Sequence, residues 1–331
     1  MELVSSSESH RILQTILKPL AYWYNQDNVE DIALNNPGGI WLRLRGRHTY
    51  PWHYYEDPKL SREYLRNLFY AIANTQDKPF GDEVGVPVVY CDLPDGHRFT
   101  GIMGQNIRYD DHDLEGGIAL DIRRHEEEVA IKMEDFGLVK GGRLRQINRL
   151  KNIEDPDDPY DRLVLSIRRG DHILISGATA TGKTTFLNNM IKLLDEHKRI
   201  ITIEDTRELI VPHKNRVHLV LSRTESTNKF TYSQAIDLVL RFTPDSIIGG
   251  EISTTNASAI WELMGSGHDN CFATIHADSP ERAYRTFIER IKESNPEGHY
   301  EDELVYQEMK QRLRVVQINR DGNIRAVTAI T

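Results

Sequence analysis

Residues 171–194 read DHILISGATATGKTTFLNNMIKLL, and this stretch decides the fold of the chain. Its apolar start, Ile173 to Ile175, is typical of a buried strand, and its second half has apolar residues at helical spacing. Between the two, Gly177 to Thr184 satisfies the pattern GxxxxGK[ST] of a phosphate-binding loop. A glycine-rich loop between a strand and a helix predicts a P-loop at the edge of an α/β sheet.

The residues of this loop are suited to holding a nucleotide. Backbone N–H groups can cradle phosphate oxygens, the Lys183 ammonium can neutralise the β- and γ-phosphates, and the Thr184 hydroxyl can ligate Mg2+. Ala180 stands where many such loops have glycine, so a positive φ would be strained there. The predicted phosphate contacts are Gly177, Ala178, Thr179, Ala180, Thr181, Gly182, Lys183, Thr184 and Thr185.

After Leu163 the chain alternates strand and helix patterns. The strand patterns are HILIS, RIITIED, VHLVL, SIIGGE and CFATIH, and the helix patterns cover residues 183–195, 232–242 and 254–265. Such alternation is typical of a mostly parallel sheet with helices on its faces. We therefore predict an α/β fold containing a RecA-like P-loop domain.

The first part of the chain mixes shorter helix and strand patterns. Residues 11–24 have helical spacing, with an interruption or restart predicted at Pro19, and residues 61–76 form a second amphipathic pattern. Strand patterns separated by turn residues cover 29–43 and 86–124. Together they predict a smaller α+β domain.

An acidic stretch with prolines separates the two patterns. Residues 151–161, KNIEDPDDPYD, have few apolar side chains to bury and predict a linker or a surface loop. We expect the first domain to move about a hinge in this region. The predicted division is an N-terminal domain at 1–145, a linker at 146–162 and the P-loop domain at 163–331.

Charge and composition exclude several classes of protein. The formal net charge of −9 gives no global electrostatic footprint for nucleic acid, so no sequence-specific nucleic-acid binding is expected. A basic cluster is more typical of a solvated face than of a ligand site. It consists of Arg143, Arg145, Arg149 and Lys151.

The sequence gives no sign of a membrane span or a secretory signal. No stretch of about 18 apolar residues free of charge is present, and the start MELVSSSESHRILQ lacks the pattern of a signal peptide. Cys91 and Cys271 are too few for a disulfide framework or a four-thiolate zinc site. We therefore expect a cytoplasmic protein.

Two acidic residues are predicted to face the phosphate site. Glu204 and Glu251 each end an apolar strand pattern, and open α/β sheets bind ligands at the carboxyl ends of their strands. A carboxylate beside a magnesium-bound γ-phosphate can position the attacking water. The base-reading motif NKxD of guanine-specific proteins is absent, since residues 228–231 read NKFT, which favours ATP.

Four motifs in order resemble those of the secretion-ATPase superfamily. Besides the P-loop, IEDTREL resembles its Asp box, PDSIIGGE its atypical Walker B motif, and GSGHDNCFATIHA its His box. The N-terminal stretch LKPLAYWYNQDNVEDIALNNPGGIWLRLRG resembles the VirB-type traffic ATPases of type IV secretion systems. The likeness covers most of the chain, and it is firmest after residue 160.

The resemblance implies a role for each matching residue. Lys183 and Thr184 would hold phosphates and magnesium, Glu251 would polarise water, and Glu204 would assist at the magnesium or the water. His276 would sense the γ-phosphate. For His268, a turn residue and a functional residue are equally good interpretations.

The resemblance also implies a two-tier homohexameric ring, peripheral to the inner membrane and docked on secretion-channel proteins. In such rings the N-terminal domain closes over the nucleotide and supplies arginines, which here would be Arg98, Arg123 and Arg124. Arginine suits this role because its guanidinium stays charged and binds phosphate oxygens in a fork. One departure is that the family commonly has an arginine shortly after its Walker B glutamate, whereas residues 251–255 read EISTT.

Two other functions stay open. The type II secretion and type IV pilus branch shares the C-terminal motifs, although type II enzymes usually carry a four-cysteine zinc module that this sequence lacks. A nucleic-acid translocase or a nucleotide-gated binding module is a more distant alternative. The acidic net charge disfavours the translocase, and Glu251 with His276 disfavours a module without turnover.

Overall fold

A computed structural model describes residues 6–46, 49–109, 116–125, 136, 138–142, 150, 153–221 and 230–331. Its mixed α/β architecture contains a six-stranded sheet and an eight-stranded sheet. The basic cluster of Arg143, Arg145, Arg149 and Lys151 lies outside the described residues, as do residues 146–149, 151 and 152 of the predicted linker.

The six-stranded sheet is antiparallel and has the strand order β3-β2-β1-β7-β5-β4. Two helices, α1 and α2, pack on it around one apolar core. Its elements are α1 (Ser6–Tyr24), β1 (Val29–Leu34), β2 (Gly39–Leu44), β3 (Trp52–Glu56), α2 (Arg62–Thr75), β4 (Val88–Asp92), β5 (Arg98–Gly104) and β7 (Gly117–Arg123).

Helix α1 continues through Pro19, so the predicted interruption is wrong. Proline inside a helix costs about 3 kcal/mol because it removes one hydrogen bond and crowds the preceding turn. Leu13, Leu17 and Leu20 are nevertheless buried against the sheet, and each buried leucine contributes about 1.5–3 kcal/mol. Packing along this face therefore outweighs the local cost.

The eight-stranded sheet has the order β14-β13-β8-β12-β11-β9-β10-β6, and the strands from β13 to β10 are mutually parallel. The mostly parallel α/β prediction is confirmed. The strands are β6 (Ile107–Arg108), β8 (His172–Ser176), β9 (Ile200–Glu204), β10 (Arg216–Val220), β11 (Ser246–Gly249), β12 (Cys271–Ile275), β13 (Leu313–Asp321) and β14 (Ile324–Ile330).

Helices cover both faces of this sheet, and its strands are therefore buried on both sides. One apolar core contains residues of α3 and α4, and the other contains residues of α5 to α8. Successive strand residues, such as Ile173 and Leu174, belong to opposite cores. The helices are α3 (Pro159–Arg169), α4 (Lys183–Ile191), α5 (Tyr232–Arg241), α6 (Ala257–Gly265), α7 (Pro280–Ser294) and α8 (Asp302–Arg312).

Helix α3 begins inside the stretch that the sequence predicts as a linker. Asp158 is the N-cap, its side chain accepts from the Asp161 amide, and Pro159 occupies the first helical position. Proline is well tolerated there because the first turn has no intrahelical acceptor for its N–H. Asp158, Pro159 and Asp161 therefore mark the start of a helix, whereas the sequence pattern predicted a linker or a surface loop there.

The first sheet packs on the end of the second sheet where the parallel strands begin. Asn35 Nδ2 donates to Asn215 Oδ1 at 2.8 Å, just before β10, and β6 pairs antiparallel with β10. Arg199, just before β9, lies 3.7 Å from the Asp121 carboxylate of β7. The opposite end of the second sheet, where its parallel strands finish, is the P-loop end.

None of the helices in the described ranges is both long enough and apolar enough to cross a membrane.

Candidate functional site: a P-loop at the carboxyl ends of parallel strands

Four segments meet at the carboxyl edge of the eight-stranded sheet. The P-loop follows β8, His276 follows β12, Glu251 follows β11 and Glu204 ends β9. These strands are consecutive neighbours in the sheet, in the order β8-β12-β11-β9. The motifs predicted from separate parts of the sequence therefore lie side by side.

The P-loop turns tightly because two of its glycines allow close approach and a positive φ. A Cβ on Gly177 would lie 2.5 Å from the Ile318 carbonyl oxygen, so no side chain fits there. Gly182 has φ 93° and begins α4, which presents its N-terminal N–H groups at the loop. Ala178 to Ala180 are exposed at the top of the loop. The loop therefore has the backbone geometry that the predicted phosphate cradle needs.

Ala180 adopts φ 62°, the left-handed conformation that its position suggested. This conformation costs alanine about 1–2 kcal/mol, and glycine avoids that cost at an entropic cost of about 0.5–1 kcal/mol. We expect Ala180→Gly to raise the free energy of unfolding by up to about 1 kcal/mol, measured by urea denaturation.

The matched control for that substitution is Ala178→Gly, in the same loop but without a positive φ. There glycine relieves no strain, so we expect a loss of about 0.5–1 kcal/mol. Equal losses for the two variants would contradict the strain at Ala180.

A chain of polar contacts connects the P-loop lysine to the Walker B acid. Lys183 Nζ lies 3.1 Å from His276 Nδ1, and His276 Nε2 lies 3.3 Å from Glu251 Oε1. The ammonium donates, so Nδ1 accepts and the neutral imidazole carries its proton on Nε2, which faces the carboxylate. His276 thus links the cation of the P-loop to the predicted catalytic carboxylate.

Lys183 is held by the loop itself. Its ammonium donates to the carbonyl oxygens of Gly177 at 3.0 Å and Ala178 at 3.1 Å. Burial lowers the pKa of Lys183, the Glu251 carboxylate opposes this, and the charge of Arg290 adds to the lowering. An anion bound at the loop would compensate this buried charge.

The backbone around Glu251 is fixed from both sides. Thr274 Oγ1 donates to the Gly250 carbonyl at 2.8 Å, and the Ile252 amide donates to the Thr274 carbonyl at 2.8 Å. Asn256 Nδ2 donates to the Glu251 carbonyl at 2.8 Å. The Glu251 side chain itself stays half-exposed. A fixed backbone with an accessible carboxylate suits a residue that orients water.

A cleft of about 320 Å3 opens between these segments. The side chains lining it carry hydroxyl and carboxylate oxygens, the ligand atoms that Mg2+ prefers, so these residues fit the predicted magnesium. Thr184 contributes a hydroxyl and Glu251 a carboxylate. The other residues lining the cleft are Glu204, Asp205, Thr206, Glu208, Leu209, Gly250 and Thr274.

Glu204, predicted as a catalytic and metal-binding residue, is bound to its own loop. Its carboxylate accepts from the amides of Glu208 at 3.0 Å and Leu209 at 3.2 Å, and from Arg207 Nη1 at 3.4 Å. Its side chain is only 1% exposed. Burial raises the pKa of Glu204, and these donors oppose that shift. These contacts are those of a residue that positions the 205–209 loop, and the role predicted for Glu204 at the magnesium or the water stays a prediction.

A buried histidine completes this anchor. Arg207 Nη2 donates to His218 Nε2 at 3.0 Å, so the ring proton is on Nδ1, 2.8 Å from Thr202 Oγ1. Thr202 can then donate to Glu204 Oε1 at 3.3 Å. Burial, Arg207 and Arg216 together lower the pKa of His218 well below its usual value. The ring therefore stays neutral.

The three N-terminal arginines lie with the six-stranded sheet. Arg98 and Arg123 are cross-strand partners, Arg123 Nε is 3.8 Å from Asp31, and Arg124 Nη1 donates to the Gln26 carbonyl. Asp31 also interacts with Arg199 at the start of β9. Five residues of β9 separate that end from the P-loop end, about 16 Å. One chain therefore does not bring these arginines to its own P-loop.

His268 and His276 lie at opposite ends of β12, since His268 precedes Cys271 and His276 follows Ile275. The structure thus favours the turn interpretation for His268.

Two arginines that the sequence analysis did not single out lie beside the P-loop. Arg290 Nη1 donates to the Ile252 carbonyl, and Arg325 Nη1 is 3.4 Å from where a Cβ on Gly182 would stand.

The chain is similar to proteins of bacterial secretion systems. The family model described as "Type II/IV secretion system protein" matches residues 137–291, which include the P-loop, Glu251 and His276. Protein VirB11 of Agrobacterium fabrum (strain C58) is 26% identical over 306 residues, covering 88% of this chain and 84% of that protein. The type IV secretion system protein PtlH of Bordetella pertussis is 28% identical over 282 residues, covering 81% and 78%.

The fold agrees as well. The crystal structure of the VirB11 ATPase from the Brucella suis type IV secretion system, in complex with sulphate, superposes with a TM-score of 0.82. It is 23% identical and covers 98% of this chain and 96% of that one.

A P-loop with Glu251 and His276 on one parallel sheet, together with the family match over residues 137–291, makes this part of the chain similar to type II/IV secretion system proteins. Along most of its length the chain is similar to VirB11 and PtlH, and these relatives support a VirB-type traffic ATPase of type IV secretion systems.

Proposed function

We propose that this chain hydrolyses ATP in a magnesium-dependent reaction and works as a homohexameric motor for type IV secretion. The observation that carries the proposal is the contact chain from Lys183 through His276 to Glu251 at the P-loop. It connects the group that holds the terminal phosphates to the group that orients the attacking water.

Lys183, His276 and Glu251 each have a defined role. Lys183 binds oxygens of the β- and γ-phosphates, while the loop amides and the N-terminus of α4 bind the remaining charge. Glu251 accepts a hydrogen bond from the water that attacks the γ-phosphorus and holds that water in line. His276 moves with Lys183 when phosphate arrives, and so reports the γ-phosphate to the Walker B segment.

The magnesium ion would be held by the Thr184 hydroxyl, with the carboxylates of the cleft around its water ligands. When bound, it would supply positive charge that stabilises the negative charge of the phosphates. Glu204 orders the loop that presents Asp205 and Glu208 to this cleft.

A ring explains the N-terminal arginines. Because they lie at the strand-start end of their own chain, Arg98, Arg123 and Arg124 can serve only the nucleotide of a neighbouring copy. We propose that they do so in a hexamer at the cytoplasmic face of the inner membrane, docked on secretion-channel proteins. The N-terminal part, residues 1–145, would move against the P-loop part, 163–331, through the segment 146–162.

The proposal is tested by particle mass and nucleotide choice. We expect analytical ultracentrifugation with ATP and Mg2+ to give a species of six times the 38.2 kDa chain mass. We also expect ATP to bind at least about tenfold tighter than GTP, because no NKxD motif reads guanine. A particle that stays monomeric at saturating ATP, or equal affinity for GTP, would contradict the proposal.

The pilus and type II branch is less favoured, since the relatives that align along most of this chain are VirB11 and PtlH.

A further inference from the structure

Arg290 stands on a rigid support beside the P-loop. Helix α7 buries Ala283, Phe287 and Ile291 in the core beneath it, and Arg290 itself is half-buried. Near the end of the helix, Ser294 Oγ accepts from the Ser258 amide at 2.8 Å, which ties α7 to the start of α6. A side chain on such a helix keeps a fixed position.

The guanidinium of Arg290 is held at the Walker B segment. Its Nη1 donates to the carbonyl oxygen of Ile252, the residue after Glu251. Among the described residues this is the hydrogen bond that Arg290 makes, which leaves Nη2 and Nε to bind another group. Residues 252–255 themselves read ISTT, so the guanidinium at this place comes from α7.

The charge of Arg290 is not balanced by a carboxylate in the described parts of the chain. Other cations of α7 are paired there: Arg282 with Glu289 at 3.2 Å and Arg285 with Glu281 at 2.9 Å. The Ile252 carbonyl that Arg290 binds directly follows Glu251, and Glu251 is connected through His276 to Lys183. Two cations that border the same P-loop site favour a bound anion.

We propose that Arg290 is a second cation for the terminal phosphate of the nucleotide, acting within the same chain as Lys183. This inference rests on the proposed function. A guanidinium anchored on the Ile252 carbonyl can bind γ-phosphate oxygens in a fork and follow the negative charge as it develops. It also connects that phosphate to the backbone of Glu251, so the acid and the phosphate share one support.

Arg290→Gln tests this role through a comparison of ATP with ADP. We expect kcat for ATP hydrolysis to fall about 10²-fold, as for the loss of one transition-state donor. The Kd for a non-hydrolysable ATP analogue should rise about tenfold, while the Kd for ADP changes less than about twofold. Arg290→Lys keeps the charge without the fork, so we expect intermediate values, and it serves as the test if the glutamine variant does not fold.

The matched control is Arg285→Gln, on the exposed side of the same helix, for which we expect all three values within about twofold of wild type. Equal weakening of ADP and the ATP analogue, or a kcat within about threefold of wild type, would overturn the role of Arg290. If the wild-type chain itself binds neither nucleotide, the proposed function fails instead. The measurement is isothermal titration of both nucleotides on the full chain, with phosphate release measured on the same preparations.

Discussion

Glu251→Gln abolishes steady-state ATP hydrolysis while ATP still binds. We expect kcat to fall about 10²–10⁴-fold, because the amide cannot take the place of a carboxylate that orients the attacking water. Binding should persist, since Lys183, the loop amides and the N-terminus of α4 hold the phosphates without Glu251. Phosphate release and the Kd for ATP, measured side by side, separate the two effects.

Glu262→Gln is a suitable control for that substitution. Glu262 is an exposed carboxylate of α6, the helix that follows the Walker B segment, and it lies outside the cleft. Glu262→Gln should change the free energy of unfolding by less than about 0.5 kcal/mol, as is usual for exposed substitutions. Because Glu262 does not line the cleft, we expect kcat within about twofold of wild type. An unchanged kcat in Glu251→Gln would remove this carboxylate from the mechanism.

Asp121→Asn destabilises the contact between the two sheets. Arg199 is 0% exposed and pairs with Asp121, which is 1% exposed, at 3.7 Å; its guanidinium also lies 5.1 Å from the Trp52 ring. Burial raises the pKa of Asp121, and Arg199 opposes the shift. The amide would leave Arg199 buried without this counter-charge, and such losses cost about 3–5 kcal/mol. Urea denaturation would measure the lowered free energy of unfolding.

Asp302→Asn controls for loss of an ordinary surface ion pair, since Asp302 is exposed and pairs with Lys292 at 2.9 Å. Its cost should be about 1 kcal/mol or less. The double variant Asp121→Asn with Arg199→Met should recover stability relative to Asp121→Asn alone, because it removes the uncompensated cation. If Asp121→Asn costs no more than Asp302→Asn, the buried pair does not hold the sheets together.

The site motifs could be predicted from the sequence because each is local. A strand followed by GxxxxGK[ST] and a helix specifies its own geometry, and Glu251 and His276 each follow a short apolar strand pattern. Neighbouring parallel strands then bring their carboxyl ends together, as the order β8-β12-β11 does. The positive φ of Ala180 was visible in the same way, from one departure in a tight loop.

What the sequence did not predict depends on contacts between distant elements. Arg290 lies 39 positions after Glu251 and reaches the neighbouring Ile252 carbonyl because α7 packs against α6, the helix that follows the Walker B segment. Glu204 has a strand-end position like that of Glu251, and the sequence did not predict that its carboxylate accepts from the amides of Glu208 and Leu209.

The N-terminal arginines illustrate the same limit. Their strand pattern was predicted, with β7 inside the 86–124 stretch. Buried contacts such as that of Asn35 with Asn215 decide which end of the second sheet the N-terminal domain covers. These contacts join residues far apart in the sequence, so no local pattern predicts them. Pro19 is a further case, because the burial of α1 overrides a local signal.

The most direct test of the account is phosphate release from ATP by the wild-type chain with Mg2+, with EDTA in place of Mg2+, and by Lys183→Ala with Mg2+. We predict steady turnover by the wild type that is lost with EDTA and in Lys183→Ala. A wild-type chain that binds ATP but releases no more phosphate than Lys183→Ala would contradict the ATPase and leave a nucleotide-gated binding module.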